Sequence, residues 1–261
     1  MWRPVLFLAV GAASILAARP RPSAVERHCF AQREDPALVQ NGPYDGRFTF
    51  FRVSFQTFGG GSGRGYRVDR KWDHDTPRAE RHLMKIMREI TSIRPQMECG
   101  EIYSFGNPES FKYPIAYVSE PGFWTMSEQE LQGIRDYVNK GGFIIFDDFI
   151  HQHWYNFEER WQEAFPNLQL VELDATHPIF NAFYQIQSLE GFTHPYFDRP
   201  QSHFFGAFED NDPKKRLVMI ANYDSDLGDY MEWSDESFLP IALSNEAYKL
   251  MVNYVVYGMT H

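Results

Sequence analysis

The spacing of hydrophobic positions changes several times along the chain, and each change marks an element. From Phe48 to Thr57 the sequence reads FTFFRVSFQT, with Phe51, Val53 and Phe55 alternating with Arg52, Ser54 and Gln56. A period of two places alternate side chains on opposite faces, so this stretch predicts a strand. Beyond Trp72-Asp73-His74-Asp75-Thr76-Pro77 the spacing becomes helical. Leu83, Ile86, Met87 and Ile90 recur three and four residues apart and predict a helix to about Ile93. Pro77 suits its first position, where the missing N–H would be unpaired anyway. Tyr113 to Ser119 (YPIAYVS) predicts a central strand. Ser127-Glu128-Gln129-Glu130 is a capping-box pattern, opening a helix with Leu131, Ile134, Tyr137 and Val138 inward. Gly141 suits the left-handed turn that ends it. Phe143 to Phe146 is wholly apolar, as expected of a parallel strand covered on both faces. A helix from Trp154 to Ala164 and strands at Leu168 to Leu173 and Leu217 to Asn222 follow. Pro240 to Tyr257 predicts a closing helix with Leu243, Ala247, Leu250, Met251 and Tyr254 on one side.

Alternating strands and helices predict an α/β fold, an open mostly parallel sheet of five or six strands flanked by helices. One domain spans residues 47–261, with an irregular segment at 177–208. Residues 19–46 are polar and proline-bearing and read as a flexible arm. Residues 1–18 carry Arg3 and then the uncharged run Val5 to Ala18, the pattern of a signal peptide or N-terminal anchor. That predicts an exported chain, periplasmic or membrane-anchored in the envelope, with membrane attachment through this segment if it is retained.

Charge and cysteine content narrow the function classes. The formal net charge is −10, and no basic run alternates with aromatics, so a nucleic-acid partner is not expected. Cys29 and Cys99 are the two cysteines, too few for a disulfide scaffold, although one bridge would tie the arm to the body. Aromatic residues are abundant, and most belong to the core. Trp72, Tyr223, Tyr230 and Trp233 are candidates for a ring-stacking wall, each competing with a plain packing role.

Three polar groups follow apolar strands: the Gly59–Gly65 loop, Asp147-Asp148, and Asn222-Tyr223-Asp224-Ser225-Asp226. In open parallel sheets ligands gather beyond the carboxyl ends of the strands, so these groups are expected to meet. Gly60 and Gly61 offer backbone N–H groups to a ligand, although the loop completes neither a Walker nor a dinucleotide motif. Asp147 and Asp148 are consecutive on a strand end, so their side chains are expected to point oppositely. One would face the site and the other cap the next helix. Asp148 is the candidate catalytic carboxylate, with Asp147 beside it and His151 or His177 to exchange protons. Glu120, Asn222, Asp224, Asp226, Gly228 and Trp233 are candidate ligand contacts. His151-x-His153 and the scattered His74, His177 and His194 form no set with zinc spacing, and Asp224, Asp226 and Asp229 lack the EF-hand spacing. No metal and no cofactor is expected. No G-x-S-x-G elbow occurs.

These blocks together resemble the uncharacterised bacterial family known as domain of unknown function 4159. The resemblance runs from FFRVSFQTFGG and WDHDTPRAERHLMKIMREITSI through YPIAYVSEPG and LQGIRDYVNKGGFIIFDDF. It continues in FPNLQLVELDATHPIFNAFYQI and MIANYDSDLGDYMEWSD. It implies a flavodoxin-like fold of the class I glutamine-amidotransferase-like type. The cysteine nucleophile of active amidotransferases has no counterpart in GGFIIFDDF. By the resemblance, Glu120, Asp147, Asp148, His177, Asn222, Asp226 and Gly228 are the polar positions of the family pattern. The expected function is binding of a small polar, carbohydrate-like ligand. A cofactor-free hydrolase using Asp148 and an envelope assembly protein, with an envelope protein as partner, are the alternatives.

Overall fold

The computed structural model describes residues 41–58, 69–97, 100–197, 201–236 and 238–261. The expected leader, most of the arm, the loop bearing Gly60 and Gly61, and both cysteines lie outside the described residues.

In chain order the elements are β1 (Phe51–Val53), β2 (Gln56–Thr57), α1 (Arg78–Ile90), β3 (Glu101–Tyr103), β4 (Ile115–Ser119), β5 (Trp124–Thr125), α2 (Glu128–Asn139) and β6 (Phe143–Phe149). They continue with α3 (His153–Ala164), β7 (Val171–Glu172), β8 (His203–Phe208), β9 (Leu217–Tyr223), α4 (Leu227–Glu232) and α5 (Ile241–Thr260). Seven strands form one open sheet in the order β3-β1-β4-β6-β9-β8-β7, and β2 pairs with β5 in a small second sheet. From β3 to β9 every pairing is parallel. β8 and β7 close one edge antiparallel. The sheet is therefore mixed, an α/β architecture with helices on both faces.

Side-chain alternation explains why β4 and β6 are apolar throughout. Ile115, Tyr117, Phe143 and Ile145 face α1 and α5, packing with Leu83, Met87, Leu250 and Met251. Ala116, Val118, Ile144 and Phe146 face α2 and α3, packing with Leu131, Ile134, Phe157 and Trp161. At about 25 cal/mol per Å² of apolar surface, two covered faces supply the main driving force for the fold.

The boundaries differ from the pattern in instructive places. The first strand breaks after Val53 and resumes as β2, pairing elsewhere. Pro77 stands one residue before α1, and Thr91 ends that helix by donating its hydroxyl to the Met87 carbonyl at 2.7 Å. The Leu168 to Leu173 strand shrinks to Val171–Glu172, both exposed at the sheet edge. The segment expected to be irregular contains β8, a full strand whose ladder with β9 its composition does not announce. The capping box at Ser127 and the left-handed Gly141 (φ +96) are as the sequence predicts.

Candidate functional site

The carboxyl ends of β4, β6 and β9 lie side by side, and the chain leaves each through polar residues. Five of the residues around this edge hold left-handed backbone: Asp75 (φ +62), Glu120 (+47), Asp148 (+60), His151 (+49) and Asp224 (+56). Outside glycine such conformations are uncommon and require support from the surrounding packing.

Asp148 sits in a bulge of β6. The register against β9 shifts between Phe146 and Phe149. Alternation from Phe143 and Ile145 would send Phe149 toward α5, yet Phe149 packs on Phe157 of α3, with ring centroids 5.0 Å apart. The left-handed residue has flipped the strand's parity. The expectation that Asp147 and Asp148 point oppositely on a regular strand end is therefore replaced by a bulge, in which both carboxylates are buried with different partners.

Asp147 is fully buried and accepts from four donors. Its Oδ2 accepts from Tyr117 Oη (2.8 Å), Leu227 N (2.9 Å) and Gly228 N (3.0 Å), and its Oδ1 from Asn222 Nδ2 (2.9 Å). Burial nonetheless raises its pKa to about 6, with the Asn222 and Tyr117 bonds opposing the rise. Asn222 Oδ1 in turn accepts from Tyr254 Oη at 3.0 Å. At Gly228 a Cβ would come within 2.3 Å of Asp75 Oδ2, so glycine is what lets α4 approach. Asn222 and Gly228, expected at the ligand, hold Asp147 in this structure.

Asp148 stands between two histidines. On one side His194 Nε2 lies 3.3 Å from Asp148 Oδ1 and 3.6 Å from Asp226 Oδ2. The Tyr196 N–H donates to His194 Nδ1 at 3.3 Å, which assigns the ring proton to Nε2. On the other side His74 Nδ1 meets Glu120 Oε1, its Nε2 lies 2.7 Å from Asp69 Oδ1, and Lys71 Nζ lies 3.3 Å from Glu120 Oε2. Burial works against charge on His74, but the bond to Glu120 and then Asp69 outweigh it and raise its pKa to about 9. Glu120 is raised, by burial above all. Asp75 and Asp226 are pushed well up, first by burial and then by the Asp148 charge.

Three sets of side chains bring their nitrogen and carboxylate oxygen atoms within 4.8 Å of one another: His74–Glu120–Asp148, Asp148–His194–Asp226 and Asp75–Asp229–Glu232. Asp148 belongs to two of them. A groove lined by Glu158, Trp161, Gln162 and Leu168 lies along α3 and shares no residue with these sets.

The family model described as Domain of unknown function (DUF4159) matches residues 62–259. The chain belongs to this family. No curated protein matches it. Among the described residues of this DUF4159 chain, no helix is long and apolar enough to cross a membrane.

Of the residues singled out in the sequence, this DUF4159 site gathers Glu120, Asp148 and Asp226, with Asp147 beneath them. His151 is near, but it meets Asp224 Oδ1 through its backbone N–H (3.1 Å) and Phe197 through its ring. Asp224 thus orders the turn after β6. His177 does not join Asp148. It caps the turn at Pro178 and packs on Phe208 and Tyr257, at the end of the sheet where β6 and β9 begin. Trp72 and Tyr230 are core residues, and Tyr223 packs between Phe149 and Trp154. Trp233 is half-buried, donates Nε1 to Asp229 Oδ1 (3.1 Å) and has Arg78 over its ring. Sequence reasoning passed over Asp75, Glu232 and the exposed aromatics Tyr196, Phe197 and Phe238. It counted His74 and His194 only as scattered histidines. The aromatic run around His194 in GFTHPYF was the one local signal. Phe197 packs on His194 at 4.8 Å, and Tyr196 and Trp233 both touch Phe238.

Proposed function

We propose that this chain binds a small polar, carbohydrate-like ligand at the carboxyl ends of β4, β6 and β9. The observation that carries this reading is the placing of Asp148, in a left-handed bulge between His74–Glu120 and His194–Asp226. Left-handed backbone at four more residues around it supports the reading, because such conformations cost energy and gather where a site must be held. In this reading Glu120, Asp148 and Asp226 accept hydroxyl protons. Tyr196, Phe197 and Phe238, which are 51%, 45% and 60% exposed, offer ring faces to the apolar side of a sugar. An amidotransferase-like layout without the cysteine nucleophile, and an envelope location drawn from residues 1–18, belong to the same proposal.

Calorimetric titration of the purified chain with glucose, N-acetylglucosamine and soluble peptidoglycan fragments tests it. Asp148→Asn keeps a residue type that tolerates left-handed backbone, so the fold survives while the charge is lost. The expected result is a saturable heat in the wild type and none in D148N. F197A should bind roughly fivefold more weakly, as the loss of about 1 kcal/mol of ring contact implies. No heat with any of these compounds sinks the reading.

A hydrolytic reading is favoured by one observation, the 3.3 Å approach of His194 Nε2 to Asp148 Oδ1. There Asp148 would activate water and His194, rather than His151 or His177, would exchange the proton. Release of product from a bound fragment by the wild type, absent in H194Q, is the expected outcome. Binding without any product refutes it.

A further inference from the structure

The side chains around Asp148 form two sets of like composition, each with one imidazole and two carboxylates, and Asp148 is common to both. All six carboxylates of the three sets, Asp75, Glu120, Asp148, Asp226, Asp229 and Glu232, are buried. Lys71 brings one fixed positive charge to Glu120, while Arg52 is committed to Glu80 at 2.6 Å. Gathering buried carboxylates this closely is costly unless positive charge sits among them. Asp75 Oδ2, in the adjoining set, is buried without any hydrogen-bond partner. Among the described residues, Lys71 and His74 bring positive charge to the Glu120 side of this acid-rich floor, and His194 is the one basic side chain against Asp226.

We infer that Asp148 bridges two divalent cations, one held with His74 and Glu120 and the other with His194 and Asp226. This rests on the reading of the Asp148 edge as the ligand site and names the inorganic part of that site. Three protein ligands per ion leave coordination positions open for a ligand's hydroxyl or carboxylate oxygens. One nitrogen and two oxygens suit manganese or zinc better than calcium, which takes oxygen ligands. His74 is already oriented for this role. Its Nδ1 faces Glu120 while Asp69 holds Nε2, the carboxylate–histidine arrangement that fixes a metal-binding ring. Loading moves the His194 proton to Nδ1 at the cost of the 3.3 Å bond from the Tyr196 N–H.

The test is manganese titration of the purified, chelator-stripped chain, followed by calorimetry, elemental analysis and electron paramagnetic resonance. Two manganese ions per chain with a spin-coupled spectrum are expected, because carboxylate-bridged ions sit only about 3.5–4 Å apart. H74Q and H194Q should each retain one uncoupled ion. D69N should keep two but bind the His74 ion about 10–100-fold more weakly. Thermal melting of each variant separates lost binding from lost fold. No uptake by the folded wild type, a single ion, or two ions in both histidine variants would overturn the inference. The sugar titrations, repeated with manganese and with chelator, keep the two claims apart. Sugar heat unchanged in chelator together with no manganese uptake overturns the cation pair alone. Manganese uptake without sugar heat supports the pair and overturns the ligand reading.

Discussion

Removing the Asp147 carboxylate tests whether it is a keystone of the fold. Four donors from three parts of the chain converge on it: the Tyr117 hydroxyl on β4, the Asn222 amide on β9, and the Leu227 and Gly228 N–H groups at the start of α4. Asp147→Ala leaves all four facing the space of a missing carboxylate. Each buried donor without a partner costs about 1–3 kcal/mol. One water entering that space can accept from two of them. The net loss is then about 3–5 kcal/mol, a large part of the roughly 5–15 kcal/mol that holds an ordinary domain together. Asp147→Asn behaves differently. Its carbonyl can keep the three donors now on Oδ2, while its amide meets the Asn222 amide donor to donor. Asn222 can flip only by turning its Nδ2 toward Tyr254 Oη, which now donates to it. The expected loss is about 1–2 kcal/mol. Urea unfolding at pH 7, followed by circular dichroism, gives both values from the midpoints. The reasoning fails if D147A unfolds within 1 kcal/mol of the wild type, or if D147N is the more damaging change.

Arg52 and Glu80 form a buried pair on β1 and α1, with Nε to Oε1 at 2.6 Å, so R52M strands the Glu80 carboxylate and should cost about 3–5 kcal/mol in denaturant unfolding. R52M/E80M should recover at least half of that loss, and a double variant no better than R52M contradicts the account. S127A removes the hydroxyl that accepts from Glu130 N and should lower stability by about 1 kcal/mol, read from the same unfolding curves. Glu101 is raised by burial to about 7 from an ordinary 4.5, the Gly42 N–H opposing. A folded-state value above the unfolded one gives stability that is complete below about 4.5 and lost as pH rises through about 7. Melting temperatures of E101Q should therefore gain on the wild type between pH 4.5 and pH 8, and a constant difference across that range refutes the assignment.

Local pattern carried much of the architecture. The stripe of Leu131, Ile134, Tyr137 and Val138, the Ser127 box and Gly141 are decided within one or two helical turns, where nearest neighbours dominate the energetics, and each stands as its spacing predicts. The runs at β4, β6 and β9 are apolar because both of their faces are covered, and that too is written in composition. β8 escaped notice because its pairing with β9 joins strands whose order and direction no local spacing encodes. His177 stood as a catalytic candidate and His194 only as a scattered histidine for the same reason, although the sheet places them at opposite ends.

The sequence by itself determined that this is an α/β chain with polar residues after its central strands, since burial on two faces and helix capping act over short distances along the chain. Only the tertiary structure decided which polar residues meet. His74, Glu120, Asp148, His194 and Asp226 come from five separate segments, brought together by strand order and by left-handed turns at Glu120 and Asp148. Glu carries no compositional mark of such backbone and Asp only a weak one, because long-range packing, more than local preference, holds the chain in it.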